Sequence, residues 1–456
     1  MRLSGETLSY LPDAVERYGY VRAAQAVGIV HFGIGAFHRA HQAWYTDRAM
    51  DSGDRDWAIA GVSLRSANVA EQLIPQDGLY TVIERSAAGD RARLVGAVRE
   101  VIVAPRDPAA LAVRLGAATT HIVSLTITEK GYCRAQDGSL GHDQAREGSV
   151  YWHLADAMRQ RRAAGIAGFT LLSCDNLSAN GEQLQRLMSE YLDRHHPDLL
   201  SWFHSECTCP STMVDRIVPA TTVDDLAVLQ DRLGLRDEAA VMTEPFSQWV
   251  VEDKFAGRRP RWDAVGAQVV TDVVPYETAK LRMLNGAHSA LAYLGLERGY
   301  TFVHQAVADP ALRQLIEQLM RCEAATSFAP AAGQDLDAYS DALLARFANP
   351  ALNHQLAQIA VDGSQKIPQR WLATLEAQRG MGRRCPAILT ALAAWLRYIR
   401  GDRFVVDDPL AEKLKLAWHG ADLAAVAHRL LDPGGVLGDS WYPNANDIAE
   451  LTALSV

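Results

Sequence analysis

Lys280, Asn285 and His288 stand at Lys-x4-Asn-x2-His spacing, with Glu277 three residues ahead of the lysine. A lysine, an amide and an imidazole are the groups that alcohol–carbonyl interconversion asks for. Lys280, desolvated in a cleft, loses part of its preference for the charged form and acts as a general base toward a hydroxyl, or as a general acid in reverse. Asn285 and His288 supply hydrogen bonds to the oxygen as it becomes alkoxide or carbonyl. Glu277, one turn earlier, passes the proton to solvent. The segment from Tyr276 to His288 reads as one helix, and at roughly 100° per residue the four side chains fall within an arc of about 140°. One helix face then meets one small oxygen-rich substrate. The structural alternative is a solvated face with an ordinary Glu277–Lys280 pair and His288 as a hydrogen-bonded core residue.

A second element must hold what accepts the electrons. Val27-Gly28-Ile29-Val30-His31-Phe32 reads as a buried strand, followed at once by Gly33-Ile34-Gly35-Ala36-Phe37-His38-Arg39 and a helical stretch through Met50. This is the strand, glycine turn and helix start of a dinucleotide-binding unit: small glycines let the backbone approach a pyrophosphate, and free helix N–H groups bind it. Gly33, Gly35, Ala36, Phe37, His38 and Arg39 are the candidate cofactor contacts, with His38 where the usual pattern has its third glycine. A plain strand-to-helix turn and a methyltransferase loop are the competing readings of a bare Gly-x-Gly.

Six ordered segments together resemble the polyol-specific long-chain dehydrogenase/reductase family, which includes mannitol 2-dehydrogenase and fructuronate reductase. They are the turn Gly33 to Gln42, Gln76-Asp77-Gly78-Leu79-Tyr80-Thr81, Thr126 to Tyr132, Ser173-Cys174-Asp175-Asn176-Leu177, Glu244-Pro245-Phe246 with Trp249, and Lys280 to His288. The resemblance covers most of the chain. It implies Lys280 as catalytic acid/base, Asn285 and His288 as positioners of the reacting oxygen, and Asn176 as Asn285's partner in an oxyanion-type pocket. The residues around Asn176 agree, since Gly168 to Ser173 is strand-like and the next loop opens at the carboxyl edge of the sheet, where such folds bind ligands. A turn or helix cap is the ordinary use of the same residues. Asp215 and Lys366 resemble the family's substrate-lining positions, and Lys366 or Arg370 would supply the cation for a sugar-acid carboxylate.

Bulk properties bound the remainder. The chain has 456 residues, 48% hydrophobic and 22% charged, with a net charge of −9. That is an ordinary globular composition, long enough for two domains, and its acidic balance opposes a nucleic-acid surface. No apolar run reaches the ~20 residues of a membrane span, so a cytoplasmic protein with no membrane or nucleic-acid partner is expected. The six cysteines are scattered, and Cys207-Thr208-Cys209 with His204 lacks the spacing of a structural zinc. Metal-free chemistry is expected, with Lys280 acting on the hydroxyl.

Strand and helix patterns alternate up to Tyr276, with strands expected at 58–64, 79–84, 95–103, 121–127, 168–173 and 267–274; beyond it the pattern is almost all helical. The fold class is therefore α/β: a Rossmann-type dinucleotide-binding domain with added strands over 1–276, then a mostly α-helical C-terminal domain over 277–456. The catalytic helix would then open the second domain and face the nucleotide turn. After Ala60-Gly61-Val62 the chain reads Ser63-Leu64-Arg65-Ser66, with no carboxylate until Glu71 to accept from the adenosine ribose. Arg65 and Ser66 could hold a 2′-phosphate, but the family mostly uses NAD, so NAD is expected with NADP as the alternative. The expected activity is hydride transfer between NAD(P) and C2 of a linear polyol or ketose, of the mannitol–fructose type. A fructuronate reductase acting on D-mannonate is the nearest alternative, and a catalytically silent dinucleotide sensor is the one from another class. The partners expected are a sugar alcohol, ketose or sugar acid, in a monomer or homodimer.

Overall fold

Apolar runs of four to six residues build the first unit. In the computed structural model, which describes residues 1–438 and 441–453, Val98–Val103, Ala58–Ser63, Val27–Phe32, Ile122–Leu125 and Thr170–Ser173 lie side by side in that order, all parallel. In chain order this is 3-2-1-4-5, the Rossmann arrangement, whose direction reverses between the first and fourth strands. All six residues of Val27–Phe32 are buried, as a central parallel strand covered on both faces must be. Two smaller sheets are added. One joins Val15–Glu16, Arg91–Val95, Tyr80–Glu84 and Val241–Thr243, and the other joins Gln268–Val270, Gln248–Glu252 and Thr212–Asp215.

The strand expected over 95–103 is two strands in two different sheets, Arg91–Val95 and Val98–Val103. Gly96 makes the break: a β-carbon there would lie 2.5 Å from the Tyr18 ring, so the chain passes close beneath that ring and leaves the first sheet.

The chain divides between Val273 and Val274, just ahead of the change in patterning at Tyr276, because Val274 opens the helix that runs on to Lys280. The second unit is helical. Gly286–Glu297 and Pro386–Tyr398 are its central helices; every residue from Gly286 to Gly295 is buried, and the two pack on one another. No helix among the described residues is long and apolar enough to cross a membrane.

Candidate active site

Gly33 follows the first strand at the point where the sheet order reverses. Its φ of +94° favours glycine, and a β-carbon there would sit 1.9 Å from the carbonyl oxygen of Thr126. The turn is pinned from below. The Thr126 hydroxyl donates to the Gly33 carbonyl at 2.7 Å, and the His31 ring reaches Thr126 Oγ1 with Nε2 and Ser124 Oγ with Nδ1, both at 2.8 Å. Burial pushes the His31 pKa down to about 3, so this imidazole is neutral.

Gly35 is different. It caps the helix Ala36–Ala40 with ordinary φ, and an added β-carbon would meet nothing nearer than the Gly33 carbonyl at 3.9 Å. The missing side chain thus leaves open space over the first helix N–H groups, the surface a pyrophosphate needs. Ala36 and Phe37 are half-exposed beside it. The side chains of His38 and Arg39 turn inward. His38 is fully buried and stacks on His31 with ring centroids 3.4 Å apart. Arg39 donates to the carbonyls of Ala239 and Gly35 and lies over the Tyr80 ring. Both brace the turn from within. Arg65 and Ser66 are exposed just beyond the second strand.

Asn176 is exposed in the loop that follows the fifth strand. Its neighbour Asp175 fixes that loop: the carboxylate accepts from the amides of Ile127 and Thr128 at 2.9 and 3.0 Å and from the Tyr132 hydroxyl at 2.9 Å. Thr128 is held with φ of +61°. One carboxylate thus ties together the loops after the fourth and fifth strands. Gln76 and Thr81 likewise hold buried Asp237, so that segment braces the fold. Asp215 ends its strand, buried, paired in register with Gln248.

In the second unit the expected single helix is interrupted. Val274–Ala279 is α-helical, Lys280–Asn285 is a π segment, and Gly286–Glu297 resumes as α-helix. One extra residue in a turn rotates every later side chain by roughly 100°. The even 100° spacing read from the sequence therefore does not hold between Glu277 and His288. Lys280, 8% exposed, is buried; Glu277 and Asn285 are half-buried. His288 is 9% exposed, packed against the rings of Phe347 and His354 at 4.7 and 5.3 Å. Burial holds its pKa well below the usual imidazole value, helped by the charges of His354, Arg346 and Arg370. It therefore stands ready as a neutral hydrogen-bonding group.

Two residues not recognised as supports by sequence grip the helix where the π segment ends. Trp371 donates its indole N–H to the Gly286 carbonyl at 3.1 Å, while Arg370 Nη1 donates to the Asn285 carbonyl at 3.3 Å and to Ser289 Oγ at 2.7 Å. Burial lowers the Arg370 pKa to about 10. Lys366 donates to the carbonyls of Ile359 and Val361, and burial lowers its pKa also. Among the described residues no group of three or more His, Cys, Asp or Glu side chains is placed to hold a metal ion.

The mannitol dehydrogenase Rossmann-domain model matches residues 27–264, and the mannitol dehydrogenase C-terminal-domain model matches 272–428. The chain belongs to the mannitol dehydrogenase family. Within it, the chain is 41% identical to the D-mannonate oxidoreductase of Escherichia coli, over 93% of this chain and 92% of that one. It is 38% identical to the mannitol 2-dehydrogenase of Pyricularia oryzae, over 93% and 89%. The Pseudomonas fluorescens mannitol 2-dehydrogenase, solved as a ternary complex with NAD and D-mannitol, superposes with a TM-score of 0.81 at 36% identity, covering 100% of this chain and 96% of that one. Membership of the mannitol dehydrogenase family makes this an oxidoreductase and agrees with the Rossmann order of the sheet.

Proposed function

We propose that this protein is a metal-independent, NAD-dependent dehydrogenase of linear polyols, interconverting a mannitol-type alcohol and its 2-ketose. The observation that carries the reading is a buried lysine followed by Asn285 and His288 on a π-interrupted helix of a mannitol dehydrogenase family member. A bound NAD would supply the hydride acceptor for the carbinol carbon. Gly33, Gly35 and the N–H groups of the following helix would hold its pyrophosphate, with Ala36 and Phe37 alongside. Lys280 accepts the hydroxyl proton at Nζ during oxidation and returns it during reduction. Neutral His288 and the amide of Asn285 donate to the oxygen as charge develops there. Glu277 relays the proton to solvent. Lys366 and Arg370 bind the remaining hydroxyls.

A second reading, oxidation of D-mannonate to fructuronate, is favoured by the 41% identity to a D-mannonate oxidoreductase. Arg370 suits it, since among the described residues only Nη1 of its guanidinium has hydrogen-bond partners, and the rest of the fork matches a carboxylate. A kinetic panel of mannitol, arabinitol, sorbitol and mannonate with both cofactors tests these readings. The expected result is highest kcat/KM for mannitol with NAD. A preference of about tenfold or more for mannonate, or for NADP, would transfer the assignment accordingly, tenfold being about 1.4 kcal/mol. Dinucleotide binding without turnover on any substrate would identify a sensor.

A further inference from the structure

A neutral imidazole has one N–H to give, and which ring nitrogen carries it is ordinarily decided by a hydrogen bond to the other. His288 lacks that guide. Among the described residues no hydrogen bond reaches either of its ring nitrogens, and the ring is held instead by the rings of Phe347 and His354. Phe347 is apolar and does not distinguish one nitrogen from the other. His354 does. The two imidazoles stand nearly perpendicular, at 84° with centroids 5.3 Å apart, so the polarised edge of one meets the electron-rich face of the other. Turning His288 over, or moving its proton, changes that contact.

His354 is fixed in place by its backbone. Asn353 ahead of it takes a left-handed φ of +43°, which an asparagine tolerates. The His354 carbonyl accepts from the Val303 amide at 3.0 Å, the Leu356 amide donates to the Thr301 carbonyl at 2.9 Å, and Phe302 bridges Gln355 in the antiparallel sense. This short ladder ties His354 to the loop that follows Gly286–Glu297, the helix of His288. The His354 side chain is half-buried, and its Nδ1 is buried without a hydrogen-bond partner. Burial and the charge of Arg346 lower its pKa, so two neutral rings face one another. A buried nitrogen with no partner costs stability, and an apolar ring would fill the same space without that cost. Packing alone therefore gives no reason for a histidine here.

We propose that His354 is a positioning residue for His288, fixing its ring orientation and tautomer so that one N–H is aimed at the reacting oxygen. The inference rests on the dehydrogenase reading for the role of His288 and goes beyond it in naming what orients that ring.

Two variants separate polarity from bulk. His354→Phe keeps a ring and loses both nitrogens; His354→Asn loses the ring and keeps polar atoms near the place of Nδ1. His354→Phe should lower kcat for polyol oxidation at least about tenfold and change KM less than about threefold, with melting temperature and NAD affinity held. His354→Asn should lie between His354→Phe and the wild type. In a His288→Ala background, His354→Phe should have less than about a twofold further effect, because it acts only through that ring. Wild-type kcat in His354→Phe, a lower kcat in His354→Asn than in His354→Phe, or the same loss persisting without His288 would overturn the proposal. A measurement without turnover stands beside these. In long-range 1H–15N spectra of the full chain carrying 15N-labelled histidine, His288 should show the nitrogen shifts of a single tautomer, and His354→Phe should bring them toward the averaged values of a mixture. Averaged shifts in the wild type, or shifts unchanged in His354→Phe, would overturn the proposal whatever the substrate. Absence of wild-type turnover on every polyol and aldonate would sink the dehydrogenase reading instead.

Discussion

At the Gly33 turn the backbone is the working part, and its shape is fixed by a positive φ and one close carbonyl. Along Val274–Glu297 the working parts are side chains, and their backbone is a π-interrupted helix gripped at the Gly286 and Asn285 carbonyls by Trp371 and Arg370. The first region turns on a missing β-carbon, braced by Thr126. The second turns on side-chain donors from Trp371 and Arg370, so it fails in different ways when altered.

The largest effect should come from Lys280. Lys280→Ala should lower kcat by at least about 10² with dinucleotide affinity nearly intact, because positioned acid/base catalysis is lost while the turn is untouched. Polyol oxidation should rise with pH as the lysine loses its proton, and ketose reduction should fall over the same range. Parallel pH profiles in the two directions, with both preserved in Lys280→Arg, would move the acid/base role to His288.

Two glycines then separate fold from function within the turn. Gly33→Ala places a β-carbon against the Thr126 carbonyl at positive φ, which should lower the melting temperature and, with it, dinucleotide affinity. Gly35→Val meets only open space, so stability should hold while affinity falls by about tenfold or more as the side chain occupies the pyrophosphate surface. Unchanged affinity of Gly35→Val by calorimetry would remove the pyrophosphate from this place.

Trp371→Phe keeps the ring and deletes the N–H that serves the Gly286 carbonyl. A lost hydrogen bond to a buried carbonyl costs about 1 kcal/mol or somewhat more. We expect kcat to fall several-fold, with a smaller change in KM. If the variant matched the wild type in both, the clamp would be irrelevant to the catalytic helix.

The smallest effect concerns Glu323, whose carboxylate accepts from the amides of Ala387 and Ile388, both at 2.8 Å. Burial raises its pKa from 4.5 to about 7. A carboxyl raised on folding holds its proton longer than in the unfolded chain, so its contribution to stability is complete below about pH 4.5 and is lost as the pH rises through 7. Melting temperatures between pH 5 and pH 8 should therefore decline in the wild type and decline less in Glu323→Gln. Identical slopes in the two proteins would refute the assignment.

These contrasts also explain what the sequence could reveal. The strand, the glycine turn and the helix after it were legible because each rests on local rules: an apolar run, a residue without a β-carbon, a change of period. Lys280, Asn285 and His288 could be singled out by type. The π turn between them could not, because the groups that stabilise it lie 85 residues away, and no local period announces them. Asp175 was visible only as a polar neighbour of Asn176; its work on Ile127 and Thr128, 48 and 47 residues distant, depends on strand order. His38 and Arg39 had the right place in the motif, but the inward course of their side chains is set by His31, Tyr80 and Ala239.

The row beneath the turn has a direction. Thr126 gives its only hydroxyl proton to the Gly33 carbonyl, so it must accept from His31 Nε2. A neutral imidazole has one N–H, which leaves Nδ1 as an acceptor for the Ser124 proton. Ser124 Oγ lies 2.8 Å from the Gln42 amide group, which must then present its nitrogen to the serine, an orientation that the proton count decides. Four side chains thus form a one-way line of aligned dipoles ending on the carbonyl of a single glycine. Such a line polarises cumulatively. Breaking it at Ser124, at His31 or at both should cost nearly the same, and the shortfall from additivity in that double-mutant cycle measures how far the protein treats the row as one object.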